Sequence, residues 1–208
     1  QYRQEDDSRS YSITVENRDS GYALSGSPCD CVIAGIHAFG RRPDLVISGC
    51  NSGYNLGVGN TTRSGTISAT VEAAYNDVLA VAVSTGLADG NECYNNAASV
   101  TREFASWLLD QESVPADYFN INVPDTGNPS NKITYPSTNY CMDAEWDSNK
   151  IRIKNHMVGN KPGVNIQKKK STDRSVFFVE ENTSISPLNL VEEPAEVPQL
   201  RQFIEKTS

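Results

Sequence analysis

Short apolar segments separated by helical patterns constrain the fold of this chain more than any other feature of its sequence. Residues 44–48 and 79–84 are apolar without alternation, which is typical of strands that are covered on both faces. Residues 119–123 indicate a further strand. Helical spacing of apolar residues lies between these segments, from about residue 64 and again over residues 96–110, where Trp107 and Leu108 are expected to face inward. This order predicts βαβ units and a mostly parallel sheet.

The flanking regions complete an α/β prediction. Residues 11–15 and 22–25 indicate two short strands, and residues 27–30 read S-P-C-D, a helix start with a serine cap and a proline in the first turn. After residue 124 the pattern changes, and the alternation over residues 150–154 predicts an antiparallel hairpin. We therefore expect one domain over 1–208, with a Rossmann-like three-layer core in 1–124. A smaller hairpin lobe and a C-terminal arm that mediates oligomerisation are expected in 125–208.

Charge and cysteine content exclude several classes of function. The net charge of −8 argues against binding to a nucleic-acid polymer, which requires lysine and arginine to neutralise phosphates. The sequence contains no run of about 18 apolar residues, so it does not indicate a membrane-spanning helix. The five cysteines are odd in number and irregularly spaced, so we interpret them as free thiols in a reducing compartment and expect a cytoplasmic protein.

The stretch most informative about chemistry follows the first apolar strand. Residues 49–59 are predicted to form a glycine- and asparagine-rich loop at the carboxyl end of that strand, where ligands bind in open α/β sheets. Asn51 and Asn55 carry amide oxygens that suit a hard cation, and amide nitrogens that can instead donate to phosphate. Ser64, Gly65 and Thr66 open the next helix, and helix N-termini bind phosphate. These residues are also ordinary turn and capping residues, and that alternative stays open.

Three segments together resemble the SurE family of survival proteins. Residues 26–31 read G-S-P-C-D-C, residues 43–57 read P-D-L-V-I-S-G-C-N-S-G-Y-N-L-G, and residues 64–66 read S-G-T. Each is similar to a family motif at the corresponding place in the chain, and weaker likenesses extend the similarity over roughly residues 11–190.

The resemblance implies a metal-dependent 5′-nucleotidase. The expected substrates are nucleoside 5′-monophosphates, with 3′-monophosphates or short polyphosphate in some members. The expected cofactor is a divalent metal, Mg²⁺ or Mn²⁺. By the motif match, Asn51 is a metal ligand, Asn51 and Asn55 are the catalytic candidates, and Asn55 contacts phosphate together with Ser64, Gly65 and Thr66. The family also implies a homodimer or homotetramer.

One departure from the family pattern leaves two other hypotheses open. Family members begin with a strand that ends N-D-D-G and supplies two metal-binding aspartates, and this motif is not found in residues 1–208. We therefore expect the N-terminal strand and helix of the core to be missing from the sequence. One alternative is a catalytically incomplete homologue that binds phosphate or nucleotides. The other is a structural subunit that assembles through the apolar tail around Leu200, Phe203 and Ile204.

Overall fold

The structure is a computed structural model, and it describes residues 11–38, 40–86, 91–114, 116–125, 130–134, 136–137, 142–147, 150–155 and 182–190. Within these ranges the chain forms four helices and nine strands. In chain order they are β1 (Val15–Arg18), β2 (Gly21–Leu24), α1 (Pro28–His37), β3 (Leu45–Ser52), α2 (Val58–Thr61), α3 (Gly65–Tyr75), β4 (Leu79–Thr85), α4 (Glu92–Leu109), β5 (Tyr118–Asn122), β6 (Asn131–Ile133), β7 (Met142–Asp147), β8 (Lys150–Asn155) and β9 (Thr183–Leu188).

Five strands form the central sheet in the order β3-β4-β5-β9-β6. β3, β4 and β5 run parallel, as the alternation of strands and helices predicts. β9 enters antiparallel to β5, and β6 runs parallel to β9. The sheet therefore draws its strands from both sides of residue 124, the boundary that the sequence suggested.

Apolar side chains cover both faces of the sheet around β4. The prediction that residues 44–48 are also covered on both faces is wrong, because β3 is an edge strand of the described sheet without a buried residue and Ile47 is 47% exposed. Val81 in β4 is fully buried in a cluster that includes Leu108 of α4. Its neighbour Ala80 points to the opposite face, because side chains alternate along a strand, and it packs with Val32 of α1 and Ala73 of α3. Helix, sheet and helix thus form the three layers that the sequence predicted.

Two antiparallel hairpins stand apart from the central sheet. β1 pairs with β2, and β7 pairs with β8 from Met142 opposite Asn155 to Asp147 opposite Lys150. The second pair confirms the hairpin predicted around residues 150–154. The predicted C-terminal arm lies outside the described residues.

The predicted strand over residues 11–15 is wrong in its position, since β1 begins only at Val15. The backbone N–H of Thr14 donates to the Ser25 hydroxyl at 2.8 Å rather than to a strand carbonyl. The reverse bond, from the Ser25 N–H to the Thr14 carbonyl oxygen at 3.1 Å, is kept. A side chain thus replaces one of the two main-chain bonds of this pair, and the regular strand ends there.

Helix α4 differs from its prediction at both its start and its buried face. It begins at Glu92 rather than near Asn96. The prediction that Trp107 faces inward is wrong, because its side chain is 50% exposed. The buried stripe of α4 passes through Ala105 and Leu108, one residue away from Trp107. The indole instead lies at the rim, with its ring centroid 5.4 Å from that of Phe104.

Candidate functional site

The carboxyl end of β3 carries the first predicted site residue. β3 pairs in register with β4 from Leu45 to Ser48, shifts, and resumes with Asn51 opposite Ser84. The predicted loop over residues 49–59 is therefore too long, because β3 continues to Ser52 and residues 58–61 form the short helix α2. Gly49 permits the shift, since its φ is +128° and a Cβ there would lie 2.4 Å from the Val83 carbonyl oxygen.

Asn51 is partly buried at this strand end, and its amide is already oriented. The side-chain Nδ2 donates to the Gly53 carbonyl oxygen at 2.6 Å. Its Oδ1 oxygen has no hydrogen bond among the described residues. The oxygen is the atom that a hard cation would take as a ligand, so the orientation suits the predicted role of Asn51.

Asn55 is held inside the protein rather than displayed on a loop. Its side chain is 6% exposed, and its Nδ2 donates to the Ser84 hydroxyl at 2.9 Å. Its backbone N–H donates to Asn122 Oδ1 at 2.8 Å, and its carbonyl accepts from Asn120 Nδ2 at 2.8 Å. The nitrogen proposed for phosphate is therefore engaged with Ser84, and Asn55 fastens the turn to β4 and β5.

Sequence reasoning missed the asparagines of β5 that hold this turn. Asn120 and Asn122 are both fully buried. The signal was present, because two asparagines at alternate positions of an otherwise apolar strand lie on one face. Two buried amides on one face require partners nearby, and the turn around Asn55 supplies them.

The start of α3 carries the other three predicted site residues. Ser64 is the N-cap, and its hydroxyl oxygen accepts from the Ile67 N–H at 3.4 Å. Gly65 and Thr66 follow in the first turn, where backbone N–H groups have no partner within the helix. The predicted helix start is confirmed, and it presents two N–H donors at the positive end of the helix dipole.

Two helix starts and the end of β3 meet at one edge of the sheet. α1 leads into β3 and α3 leads out of it, so both helices begin at the edge where β3 ends. A Cβ on Gly65 would lie 3.1 Å from Cγ of Pro28, the first residue of α1. Asn51 and residues 64–66 therefore share this edge, although no hydrogen bond joins them among the described residues.

A cavity of about 420 Å³ lies beside this edge, between α1, β3 and α3. None of the five predicted site residues lines it. Its walls are mostly apolar and include Val32, Ile36, Val46, Ile47 and Ala69. The cavity therefore does not display the groups expected to bind phosphate.

The cysteine next to Asn51 is unsuited to nucleophilic chemistry. Burial raises the pKa of the Cys50 thiol to about 11, and the nearby Cys93 adds to the shift. The thiolate, which is the reactive form, is therefore scarce at neutral pH. Cys29, Cys31, Cys50 and Cys93 are all free, as predicted, while Cys141 lies outside the described residues.

The described residues do not form a complete metal site. They contain no group of three or more histidine, cysteine, aspartate or glutamate side chains that could hold a metal ion. Mg²⁺ and Mn²⁺ prefer carboxylate oxygens, and Asn51 supplies a single amide oxygen. A divalent cation beside Asn51 would therefore need further ligands, which the described residues do not supply as such a group.

Comparison with known proteins identifies the family. The family model for the survival protein SurE matches residues 3–145. The chain belongs to the SurE family. The 5′-nucleotidase SurE of Natronomonas pharaonis is 39% identical over 196 residues, which cover 86% of this chain and 76% of that protein. The 5′-nucleotidase SurE of Haloarcula marismortui is 37% identical over 193 residues, which cover 86% of this chain and 71% of that protein.

The fold of the SurE family is also recognised in three dimensions. The crystal structure of the SurE protein from Aquifex aeolicus superposes with a TM-score of 0.74, covering 94% of this chain and 80% of that one. At 24% identity this likeness establishes the fold alone. Separately, none of the helices formed by the described residues has the length and apolar character that crossing a membrane requires.

Proposed function

We propose that this SurE chain is a phosphomonoesterase that hydrolyses nucleoside 5′-monophosphates, with 3′-monophosphates and short polyphosphate as further substrates. The single observation that carries the proposal is the shared sheet edge at which β3 ends with Asn51 and α3 begins with residues 64–66. Relatives named 5′-nucleotidase SurE, 39% and 37% identical to this chain, support the same reaction class.

In this proposal the start of α3 binds the phosphate. The N–H groups of Gly65 and Thr66 donate to phosphate oxygens, and the positive end of the helix dipole favours the anion. The Ser64 hydroxyl accepts from Ile67 but retains its own proton, so it and the Thr66 hydroxyl are further donors. Donors fixed in this way stabilise the negative charge that builds on the phosphate oxygens during hydrolysis.

The two asparagines have different proposed roles. Asn51 presents its Oδ1 oxygen at the strand end as one ligand of a catalytic cation. Asn55 contacts the phosphate only if its Nδ2 exchanges the Ser84 hydroxyl for a phosphate oxygen, so in its present bonding it supports the turn. Both remain catalytic candidates in this proposal.

We further propose dependence on Mg²⁺ or Mn²⁺, whose chemistry would be to lower the pKa of a bound water. The carboxylates such an ion requires would come from residues outside the described ranges. Chelation is expected to abolish phosphate release, and added Mg²⁺ or Mn²⁺ to restore it. Full activity after exhaustive chelation would contradict the metal requirement.

The proposal also covers the oligomeric state of the enzyme, its location and the size of its substrates. We infer a homodimer or homotetramer that acts in the cytoplasm on small nucleotides and not on nucleic-acid polymers, as the net charge of −8 favours. Light scattering of the full-length protein measures the mass directly, and a monomeric mass would contradict the assembly.

Phosphate release from purified full-length protein tests the reaction. Nucleoside 5′-monophosphates are expected to be hydrolysed, and Asn51→Ala is expected to lower kcat/KM by about 100-fold. The matched control is Asn60→Ala, because the Asn60 side chain makes no hydrogen bond among the described residues, and it is expected to retain the parent rate. Nucleotide binding without hydrolysis under any divalent metal would instead support the catalytically incomplete homologue.

A further inference from the structure

The ends of three parallel strands meet around one aspartate. Asp125 follows β5, Gly86 follows β4, and Tyr54 lies just beyond the end of β3. The Tyr54 hydroxyl donates to Asp125 Oδ1 across 71 positions of sequence. The pair is partly buried, and a hydrogen bond to a carboxylate is stronger than one between neutral groups.

Gly86 makes room for this contact. A Cβ on Gly86 would lie 1.6 Å from Asp125 Oδ1, so the carboxylate occupies the space that any other residue would fill with its side chain. The end of β4 also holds the same turn directly, since the Gly53 N–H donates to the Thr85 carbonyl oxygen at 2.8 Å.

The contact lies in the segment between the two catalytic candidates, Asn51 at the end of β3 and Asn55 in the turn that follows. Tyr54 stands between Asn51 and Asn55 in the sequence, and the Asn51 side chain is bonded to the carbonyl of Gly53, the residue before Tyr54. Asn55 has its own attachments to β4 and β5. Asn51 and Ser52 pair with Ser84 and Thr85 of β4, and the Gly53 N–H donates to Thr85. The contact between Tyr54 and Asp125 adds a link from this segment to the end of β5.

We propose that Tyr54 and Asp125 are positioning residues for phosphate hydrolysis, which fix Asn51 at the sheet edge by linking its turn to the end of β5. The inference rests on the proposed function. Neither side chain has to touch the substrate. In the proposed function Asn51 serves the chemical step as a ligand of the catalytic cation, whereas α3 binds the phosphate through a separate element. Loosening the segment that carries Asn51 should therefore affect the chemical step more than substrate binding.

Kinetics of three single variants test the inference in the full-length protein. Tyr54→Phe removes the donor, Asp125→Asn weakens the acceptor, and Gly86→Ala displaces the carboxylate without changing either partner. Each is expected to lower kcat by about 10- to 100-fold while KM changes by less than about 2-fold, since small misplacement of a reacting group has effects of this size. Tyr75→Phe, on an exposed tyrosine of α3, is the control and should retain the parent values.

A double variant separates a shared contact from independent structural damage. Tyr54→Phe combined with Gly86→Ala is expected to lose no more kcat than the more damaging single change, because both break the same bond. Additive losses, or parent kcat values in folded Tyr54→Phe and Gly86→Ala, would overturn the inference and leave the proposed function standing. No phosphate release by the parent protein would overturn the proposed function and this inference together.

Discussion

At the scale of single residues, glycines decide where the backbone can pass. Gly49 lets β3 change register beside β4, and Gly65 lets the start of α3 approach Pro28. Both glycines lie in segments that the sequence marked as important, but for a different reason. The sequence placed Gly49 in a ligand-binding loop and Gly65 in a phosphate-binding helix start, whereas the close neighbour of each in the structure is the protein itself.

Replacement of Gly49 is expected to destabilise the protein. In Gly49→Ala the new Cβ meets the Val83 carbonyl oxygen and the φ of +128° is unfavourable, so the free energy of unfolding should fall by about 2 kcal/mol or more. Gly35→Ala is the control, because a Cβ there meets nothing within 4 Å and alanine favours the interior of α1. The free energy of unfolding of Gly35→Ala should rise by about 0.5–1 kcal/mol. Urea titration of both variants and the parent measures these changes. Equal stabilities for the two variants would refute this explanation.

Two buried threonine hydroxyls, one in β9 and one just after β6, give a matched pair of expectations. Thr183 in β9 is fully buried, and its hydroxyl has no hydrogen-bond partner among the described residues. The Thr134 hydroxyl, also fully buried, contacts the Ser184 and Ser186 hydroxyls at 2.9 and 2.7 Å. Thr183→Val should therefore stabilise the fold by about 1 kcal/mol, and Thr134→Val should destabilise it by about 1–3 kcal/mol. Thermal unfolding of both variants measures this, and a Thr183→Val variant less stable than the parent would show that its hydroxyl is satisfied.

At the scale of elements, α1 has the most fully specified start. The Ser27 hydroxyl accepts from the Asp30 N–H, and the Asp30 carboxylate accepts from the Ser27 N–H at 2.6 Å, which completes a capping box. The Tyr11 hydroxyl also donates to Asp30. Hydrogen bonds from Tyr11 and then from Ser27 hold the pKa of the Asp30 carboxyl below its ordinary value.

The stability of the start of α1 should depend on pH in one direction. Because the pKa of Asp30 is lower in the folded state, its contribution is present above the unfolded pKa of about 4 and is lost as the pH falls through the folded value. Asp30→Asn should remove that part of the pH dependence. The free energy of unfolding, measured for both proteins between neutral pH and pH 3, tests this. An identical dependence on pH in the parent and the variant would contradict it.

How much of the site the sequence predicts also depends on the element. The start of α3 follows from a local code, a capping serine before an apolar helical pattern, and was predicted correctly at Ser64. The environment of Asn55 could not be predicted locally, because its partners Asn120 and Asn122 lie 65 and 67 residues away. The same holds for Tyr54 and Asp125, whose contact exists only once β3, β4 and β5 are aligned.

At the scale of the whole molecule, the topology of the fold places the elements of the candidate site at one sheet edge. Parallel strands connected through helices bring strand ends and helix starts to the same side. The apolar runs in β3 and β4 were sufficient to predict this arrangement, although only β4 is buried. The entry of β9 antiparallel to β5 was not predicted, since T-S-I-S-P-L is a weakly apolar segment whose place is set by its pairing with β5.

Titration of isotope-labelled protein with inorganic phosphate, followed by amide NMR, tests most directly whether the start of α3 and the end of β3 form one anion site. The backbone amides of Gly65 and Thr66 and the side-chain amide of Asn51 should shift together and saturate with a single dissociation constant. The amide of Gly35, in the interior of α1, should not shift. Saturable shifts confined to other parts of the chain, with Gly65 and Thr66 unchanged, would contradict the account.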